Sequence, residues 1–207
     1  MLEISHITVG SWQSNCYLIS DPEARQAVLI DPGAEADRII PWIASFNVAQ
    51  ILITHADHDH IGALEPVRSA TGAAVWIHPA EAEASGLRYD HPLTEGTIVE
   101  LSGSLLTAFH VPGHTPGSVV LHLAAGAEQP LAVVGDAVFP GGPGRTGSHQ
   151  ALLTGLEALE RTVFTWPDET VLYPGHGAST TVGAERPAFE KFRSKPLPPD
   201  LFGDVTW

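Results

Sequence analysis

Hydrophobic residues in this chain occur in short runs separated by Gly, Pro and Asp, a pattern typical of β-strands joined by tight turns. The first half carries such runs in NCYLIS, QAVLIDPG, AQILITH and AAVWIHP. The second half repeats the pattern in TIVEL, LLTAFHVPG, SVVLHLA, PLAVVGD and TVLYPGHG. The continuous apolar runs predict buried strands in both halves of the chain.

Several stretches between these runs carry apolar residues at intervals of three and four, which predicts helices. The clearest spans residues 150–163, with Leu152, Leu156 and Leu159 on one face. The others span residues 35–46, 61–70 and 184–192, and a short helix is expected over 80–85. Two strand-rich halves that each carry helices predict an α/β (α+β) fold, with two sheets packed face to face and helices outside. No shift in composition interrupts the chain, so we expect one domain over residues 1–207.

Composition and charge exclude several classes of function. The 207 residues carry a formal net charge of -14, and the ten Lys and Arg residues are spread along the chain, so no nucleic-acid partner is expected. The N-terminus resembles no signal peptide and no apolar run reaches the length of a membrane span, so we expect a cytoplasmic protein without a membrane partner. The single cysteine, Cys16, lies in an apolar run and is predicted to be a buried hydrophobic residue.

Residue types that bind metals follow several of the apolar runs. LITH ends at His55, FHVPGH at His114, VVGD at Asp136 and LYPGH at His176. Because the loops at one edge of a rigid scaffold lie near each other, these side chains are expected to meet. The segment THADHDHIG adds further candidates, and the full set is His55, Asp57, His58, Asp59, His60, His114, Asp136 and His176.

Imidazole and carboxylate groups are ligands for zinc, iron and manganese. The segment from His55 to His60 holds three histidines and two aspartates, which would carry a desolvation cost against a buried strand unless a cation satisfied them. Asp136, alone after its strand, is a natural bridge between two cations. The sequence therefore predicts a site for two divalent metal ions.

The ordered segments THADHDHIG, VPGHTPGS, GDAVF and YPGHG, with NCYLI and VLIDPG before them, resemble the metallo-β-lactamase-fold hydrolases. Within that superfamily the chain is most similar to the glyoxalase II-like, or hydroxyacylglutathione hydrolase-like, branch. The resemblance covers residues 15–192 and implies a four-layer αββα sandwich of two mixed sheets. It also implies that this chain lacks the separate C-terminal helical domain that binds glutathione in that branch.

The resemblance also implies roles for particular residues. The family pattern Thr-His-x-His-x-Asp-His is matched at every defined position except the second histidine, where this chain has Asp57. The implied metal ligands are His55, residue 57 and His114 in the first site, Asp59, His60 and His176 in the second, and Asp136 as the bridge. Asp59 and Asp136 are the implied catalytic residues.

Asp57 leaves three interpretations open. It binds the first metal directly, or it lies behind the site while His58 or water completes it, or the first site is weak and the enzyme is mononuclear. Alternating side chains of an extended segment would place His55, Asp57 and Asp59 on one side, which favours direct binding. An additional carboxylate suits manganese or iron better than an all-nitrogen set does, so zinc is not the only expected metal.

The predicted reaction is hydrolysis of a small-molecule thioester, such as a glutathione thioester, by a hydroxide that bridges the metals. The loop FPGGPGRT follows Asp136 and is expected to form a wall of the substrate pocket through Phe139, Arg145 and Thr146. Arg145 could pair with a substrate carboxylate. The alternatives are a persulfide dioxygenase-like oxidoreductase with one iron, or a hydrolase of another ester or lactone. The sequence defines no oligomeric state.

Overall fold

The strands of the first half form a six-stranded sheet in the computed structural model, which describes all residues 1–207. The strands follow their order in the sequence; β1 to β3 pair antiparallel, whereas β3 to β6 pair parallel. Their bounds are β1 Glu3–Val9, β2 Ser14–Asp21, β3 Gln26–Ile30, β4 Asn47–Leu52, β5 Ala74–Ile77 and β6 His91–Pro92.

The strands of the second half form another six-stranded sheet, in the order β14-β13-β10-β9-β8-β7. Only β10 and β13 pair parallel, and a short hairpin of β11 and β12 lies outside both sheets. The bounds are β7 Ile98–Leu101, β8 Ser104–His110, β9 Val119–Leu123, β10 Leu131–Gly135, β11 Val138–Phe139, β12 Gly142–Pro143, β13 Val171–Pro174 and β14 Thr180–Thr181. The predicted buried strands are confirmed in both halves.

The helices lie near the predicted positions, with one exception. The predicted helix over 61–70 is the helix Leu64–Thr71, and a separate four-residue helix, His58–Ile61, precedes it and was not predicted. The bounds are α1 Ala36–Ile43, α2 His58–Ile61, α3 Leu64–Thr71, α4 Pro79–Ser85, α5 His149–Arg161, a 3-10 turn Val163–Thr165, and α6 Val182–Arg193. None of these helices has both the length and the apolar character that crossing a membrane would require.

Three apolar clusters define four layers. One cluster lies between the two sheets and joins residues such as Ile19 and Leu52 to Leu121 and Val133. A second packs the first sheet against α1 and α3, and a third packs the second sheet against α5 and α6. Helices, two mixed sheets and helices therefore stack as the predicted αββα sandwich. Cys16 is fully buried in the second cluster, as expected.

The loops that carry the candidate ligands meet where the two sheets come together. Val119 N–H donates to Thr54 O at 2.9 Å, which ties the loop after β4 to the start of β9. Gly175 N–H donates to Gly135 O at 2.8 Å, and Asn15 N–H donates to Gly175 O at 2.7 Å. These bonds hold the ends of β4, β10 and β13 beside each other, where each end is anchored in one of the two sheets.

Candidate metal centre

The segment after β4 changes conformation at Asp57. Asp57 is extended, with φ −62° and ψ 142°, and α2 begins at the next residue. The prediction that Asp59 continues an extended alternation was therefore wrong, because His60 N–H donates to Asp57 O at 2.8 Å and closes a helical turn. The turn buries His60 completely while His58 stays exposed, so His58 does not join the other candidates.

Three side chains from the two sheets form the first group of candidate ligands: His55, Asp57 and His114. Asp57 Oδ2 lies 3.2 Å from His114 Nε2 and 4.0 Å from His55 Nε2. The hydrogen bond from His114 lowers the pKa of Asp57, and this outweighs the effect of partial burial. Of the three interpretations of Asp57, this geometry favours direct binding, because its carboxylate oxygen lies within 4.0 Å of the Nε2 atoms of both imidazoles. His55 and His114 also form a group with Asp136 in which one ligand atom from each residue lies within 4.8 Å of the others.

A second group forms on the other side of the centre from Asp59, His60 and His176. Asp59 Oδ2 lies 3.2 Å from His176 Nε2 and 3.7 Å from His60 Nε2. The same oxygen accepts a hydrogen bond of 2.8 Å from Ser14 Oγ, which fixes the carboxylate in the first turn of α2. The nitrogen and oxygen atoms of this group all lie within 4.8 Å of one another.

Asp136 lies between the two groups. Its Oδ2 is 3.7 Å from His114 Nε2 and 3.5 Å from His176 Nε2, while Oδ1 is 3.5 Å from His60 Nε2. Burial raises the pKa of Asp136, against the effect of the surrounding histidines. Gly175 leaves space for this carboxylate, since a Cβ there would lie 2.1 Å from Asp136 Oδ1. Asp136 is therefore placed to contact both candidate sites, as the sequence predicted.

Hydrogen bonds orient all four histidines in the same way. The Nδ1 atoms of His55, His60, His114 and His176 contact Thr54 Oγ1 at 3.0 Å, Asp31 Oδ2 at 3.0 Å, Arg145 O at 2.8 Å and Trp12 O at 3.0 Å, respectively. Carbonyl and carboxylate oxygens can only accept, and Thr54 Oγ1 already donates its hydrogen to Asp31 Oδ2. Each Nδ1–H is therefore the donor in its own contact. In the neutral rings each Nε2 therefore presents a lone pair to the centre, the arrangement in which histidine binds a metal. The contact of His114 Nε2 with Asp57 Oδ2 at 3.2 Å is a hydrogen bond only when that imidazole is doubly protonated.

The centre leaves polar atoms without partners, which tests whether cations fit. His55 Nε2, His60 Nε2 and Asp136 Oδ1 are buried and make no hydrogen bond. Unpaired buried polar atoms of this kind are costly, and divalent cations would satisfy all three. Burial lowers the pKa of His60, but its hydrogen bond to Asp31 and the nearby carboxylates outweigh this and raise it to about 9. The surroundings of His60 therefore favour positive charge, and the donor set fits two divalent cations.

Asp31 is a functional residue that the sequence analysis missed, because the motif QAVLIDPG was interpreted only as a strand followed by a turn. Its carboxylate accepts hydrogen bonds from Thr54 N at 2.8 Å, Thr54 Oγ1 at 2.6 Å and His60 Nδ1 at 3.0 Å. The available signal was its position directly after a buried strand, the position that the candidate ligands also occupy. Asp31 orients His60 directly and His55 through Thr54.

A cavity of about 310 Å³ opens beside the centre. Its lining residues come from the two metal loops, the loop after β10 and the C-terminal segment, and are His114, Asp136, Phe139–Arg145 and Asp204–Thr206. Arg145 is 75% exposed and forms a loose ion pair of 3.9 Å with Asp204. Thr146 differs from its predicted role: its side chain is buried and its backbone pairs with Gly203, so it does not line the cavity.

Comparison with known proteins places this geometry in a family. A model of the Metallo-beta-lactamase superfamily matches residues 9–176. The chain belongs to this superfamily. It is also 33% identical to hydroxyacylglutathione hydrolase GloC of Haemophilus influenzae, over 89% of this chain and 95% of the relative. This similarity confirms the predicted glyoxalase II-like branch. The chain is therefore a metallo-hydrolase of this superfamily.

Solved structures give the same fold. The crystal structure of BLEG-1 B3 metallo-beta-lactamase is 29% identical, with a TM-score of 0.77, over 89% of this chain and 97% of that chain. The crystal structure of TTHA1623 in a di-iron-bound form is 33% identical, with a TM-score of 0.71, over 88% of this chain and 96% of that chain. The predicted fold class is confirmed, and the di-iron neighbour supports divalent metals at the candidate centre.

Proposed function

We propose that the chain is a metal-dependent thioesterase that acts on glutathione thioesters or similar small acyl thioesters. The observation that carries the proposal is the cluster of candidate ligands around Asp136, whose carboxylate lies within 3.7 Å of His60, His114 and His176, beside a cavity whose wall holds Arg145. The similarity to a hydroxyacylglutathione hydrolase supports the same class of substrate. Zinc, iron and manganese all remain compatible with two-histidine, carboxylate-rich sites, and Asp57 favours iron or manganese.

Two divalent cations, when bound, supply Lewis acidity that lowers the pKa of a water and polarises the thioester carbonyl. Asp136 is positioned between the two groups, and Asp59 is held by Ser14, so it can orient the attacking water. The water oxygen loses a proton to solvent and forms a bond to the carbonyl carbon, the C–S bond breaks, and the products are a carboxylate and a thiolate, which solvent protonates to the thiol. The sulfur leaves as a weakly basic thiolate, so the reaction requires no dedicated general acid.

The cavity supplies a means of recognising the substrate. Arg145 lies on the cavity wall and offers planar donors that match a carboxylate. Its ion pair with Asp204 is exposed and loose, so a substrate carboxylate can replace Asp204 at little cost. Phe139, whose ring lies 6.3 Å from that of His176, offers an apolar surface to the acyl group.

The test compares S-lactoylglutathione with the N-acetylcysteamine thioester of the same acid, using protein of measured metal content. We expect turnover of both, and a higher KM for the glutathione substrate alone when Arg145 is replaced by Gln. The control is Arg88→Gln, which removes one exposed cation away from the cavity and should leave both KM values unchanged. Full metal loading without turnover of either thioester would refute the hydrolase proposal.

One observation favours a second candidate function. His55, His114 and Asp57 form a two-histidine, one-carboxylate set, which is typical of non-haem iron enzymes that use oxygen. A persulfide dioxygenase-like oxidoreductase would need only this site and one iron. The measurement that separates the two is oxygen uptake with glutathione persulfide, beside the metal content per chain. Oxygen uptake with one iron per chain would favour the oxidoreductase, and two metals without uptake would favour the hydrolase.

A further inference from the structure

Glu81 is a buried carboxylate to which the proposed reaction gives no role. It lies in α4, outside both ligand groups, and is only 3% exposed. Burying a carboxylate is costly unless hydrogen bonds compensate, so its partners indicate what it does. Those partners are backbone N–H groups of two loops rather than the side chain of a lysine or arginine.

The two carboxylate oxygens of Glu81 bind different loops of the metal centre. Oε2 accepts a hydrogen bond of 2.8 Å from Ala56 N, the residue between His55 and Asp57. Oε1 accepts a hydrogen bond of 2.7 Å from Gly117 N, three residues after His114. The first loop follows the first sheet and the second loop belongs to the second sheet, so one carboxylate fixes the separation of the loops that hold all three ligands of the first site.

The packing around this contact is too tight for any side chain at position 117. A Cβ on Gly117 would lie 2.7 Å from His78 Nδ1, 2.8 Å from Glu81 Cγ and 2.9 Å from Glu81 Oε1. His78 also caps α4, and its ring stacks on that of His110 at 4.4 Å. Helix α4 is therefore held against the end of β8 by the contact of His78 with His110, and against the His114 loop by the contact of Glu81 with Gly117.

We propose that Glu81 is a positioning residue for the first metal site alone, whereas Asp31 supports one ligand of each site, His60 directly and His55 through Thr54. Asp31 bonds His60 directly and Thr54, while Glu81 acts through the backbone on either side of the first site. The inference rests on the metal centre of the proposed function but holds for any substrate. Its consequence is that the first metal can be destabilised alone by a change outside the ligand set.

The test uses Glu81→Gln, in which the amide has only one oxygen that can accept from Ala56 or Gly117. The matched control is Glu83→Gln, which removes the same charge from an exposed position of α4. Metal-loaded proteins are treated with increasing concentrations of EDTA, and the retained metal is counted by mass spectrometry. We expect Glu81→Gln to lose one metal at a roughly ten- to a hundredfold lower EDTA concentration and to keep the other, whereas Glu83→Gln behaves as the unchanged protein.

Asp31→Asn provides a comparison, because it should weaken retention of both metals through His60 and His55. With cobalt(II) as the probe, Glu81→Gln should keep the visible spectrum of one site, whereas Asp31→Asn should lose intensity from both. Simultaneous loss of both metals from Glu81→Gln, or no change in retention, would overturn the inference. If circular dichroism shows that Glu81→Gln is unfolded, Gly117→Ala tests the same contact from the other side. None of these measurements involves thioester turnover, so they test the role of Glu81 independently of the proposed activity.

Discussion

The choice of metal at the first site depends on one side chain, that of Asp57. Its oxygen stands between His114 and His55, where the resembling family has a third nitrogen ligand. Asp57→His would make the first site all-nitrogen apart from Asp136, which favours zinc over harder ions. We predict that, when the three metals are supplied equally, the ratio of iron plus manganese to zinc taken up is higher in the unchanged protein than in Asp57→His, as measured by elemental analysis of dialysed protein.

Asp57→Asn serves as the control, because it keeps an oxygen ligand but removes its charge. It should lower the occupancy of the first site without producing the zinc preference of Asp57→His. Two zinc ions per chain in the unchanged protein, with full activity, would contradict the assigned role of Asp57. Equal metal ratios in all three proteins would mean that Asp57 does not bind the metal.

At the scale of residues, the sequence predicts those that can be recognised from their type and their neighbours in the chain. It misses those whose role depends on hydrogen bonds to distant parts of the chain. His55, His114 and His176 each follow a buried strand, and that position was sufficient to identify them. Asp31 and Glu81 were missed because their roles depend on partners 23 to 36 residues away in the chain. No spacing within the sequence encodes such long-range hydrogen bonds.

At the scale of elements, α5 supports the loop that carries His114. A Cβ on Gly113 would lie 2.8 Å from Gly155 Cα in α5, a backbone atom that cannot move without moving the helix. We predict that Gly113→Ala displaces the adjacent His114 and lowers kcat by about tenfold or more, since a small misplacement of a catalytic group is costly. Steady-state kinetics and metal retention of the purified variant measure this effect.

Gly147→Ala is the matched control, because a Cβ there meets nothing within 4 Å. It should retain both the activity and the metal content of the unchanged protein. Wild-type kinetics in Gly113→Ala would show that the loop can shift away from α5 without disturbing His114, against the prediction.

Element boundaries were predicted less well than the elements themselves. The apolar spacing gave α5 and α6 to within two residues, because their buried faces repeat regularly. Helix α2 was missed because it is only four residues long and its one buried residue, His60, faces the metal centre, so the apolar pattern carried no signal for it. That omission also caused the error about Asp59, which lies on the helix.

At the scale of the whole molecule, the candidate centre joins the two sheets. His55 follows a strand of the first sheet, whereas His114, Asp136 and His176 follow strands of the second. The centre also gathers the carboxylates of Asp57, Asp59 and Asp136 in a chain whose formal net charge is already -14. Bound cations would therefore both bridge the sheets and remove repulsion between these carboxylates.

Metal removal should consequently destabilise the entire fold and not only abolish activity. A ligand present at about 100 times its Kd stabilises the folded state by roughly 2.7 kcal/mol, which for a chain of this size corresponds to a rise in Tm of roughly 5–10 °C. We predict a fall in Tm of this order after EDTA treatment, reversed by adding back manganese or iron, as measured by calorimetry. The Tm of the Asp136→Asn variant should fall less after EDTA treatment, because the substitution already weakens metal binding at the residue that both sites share. An unchanged Tm after verified metal loss would show that packing between the sheets alone sets the stability, and that the metals serve the reaction without stabilising the fold.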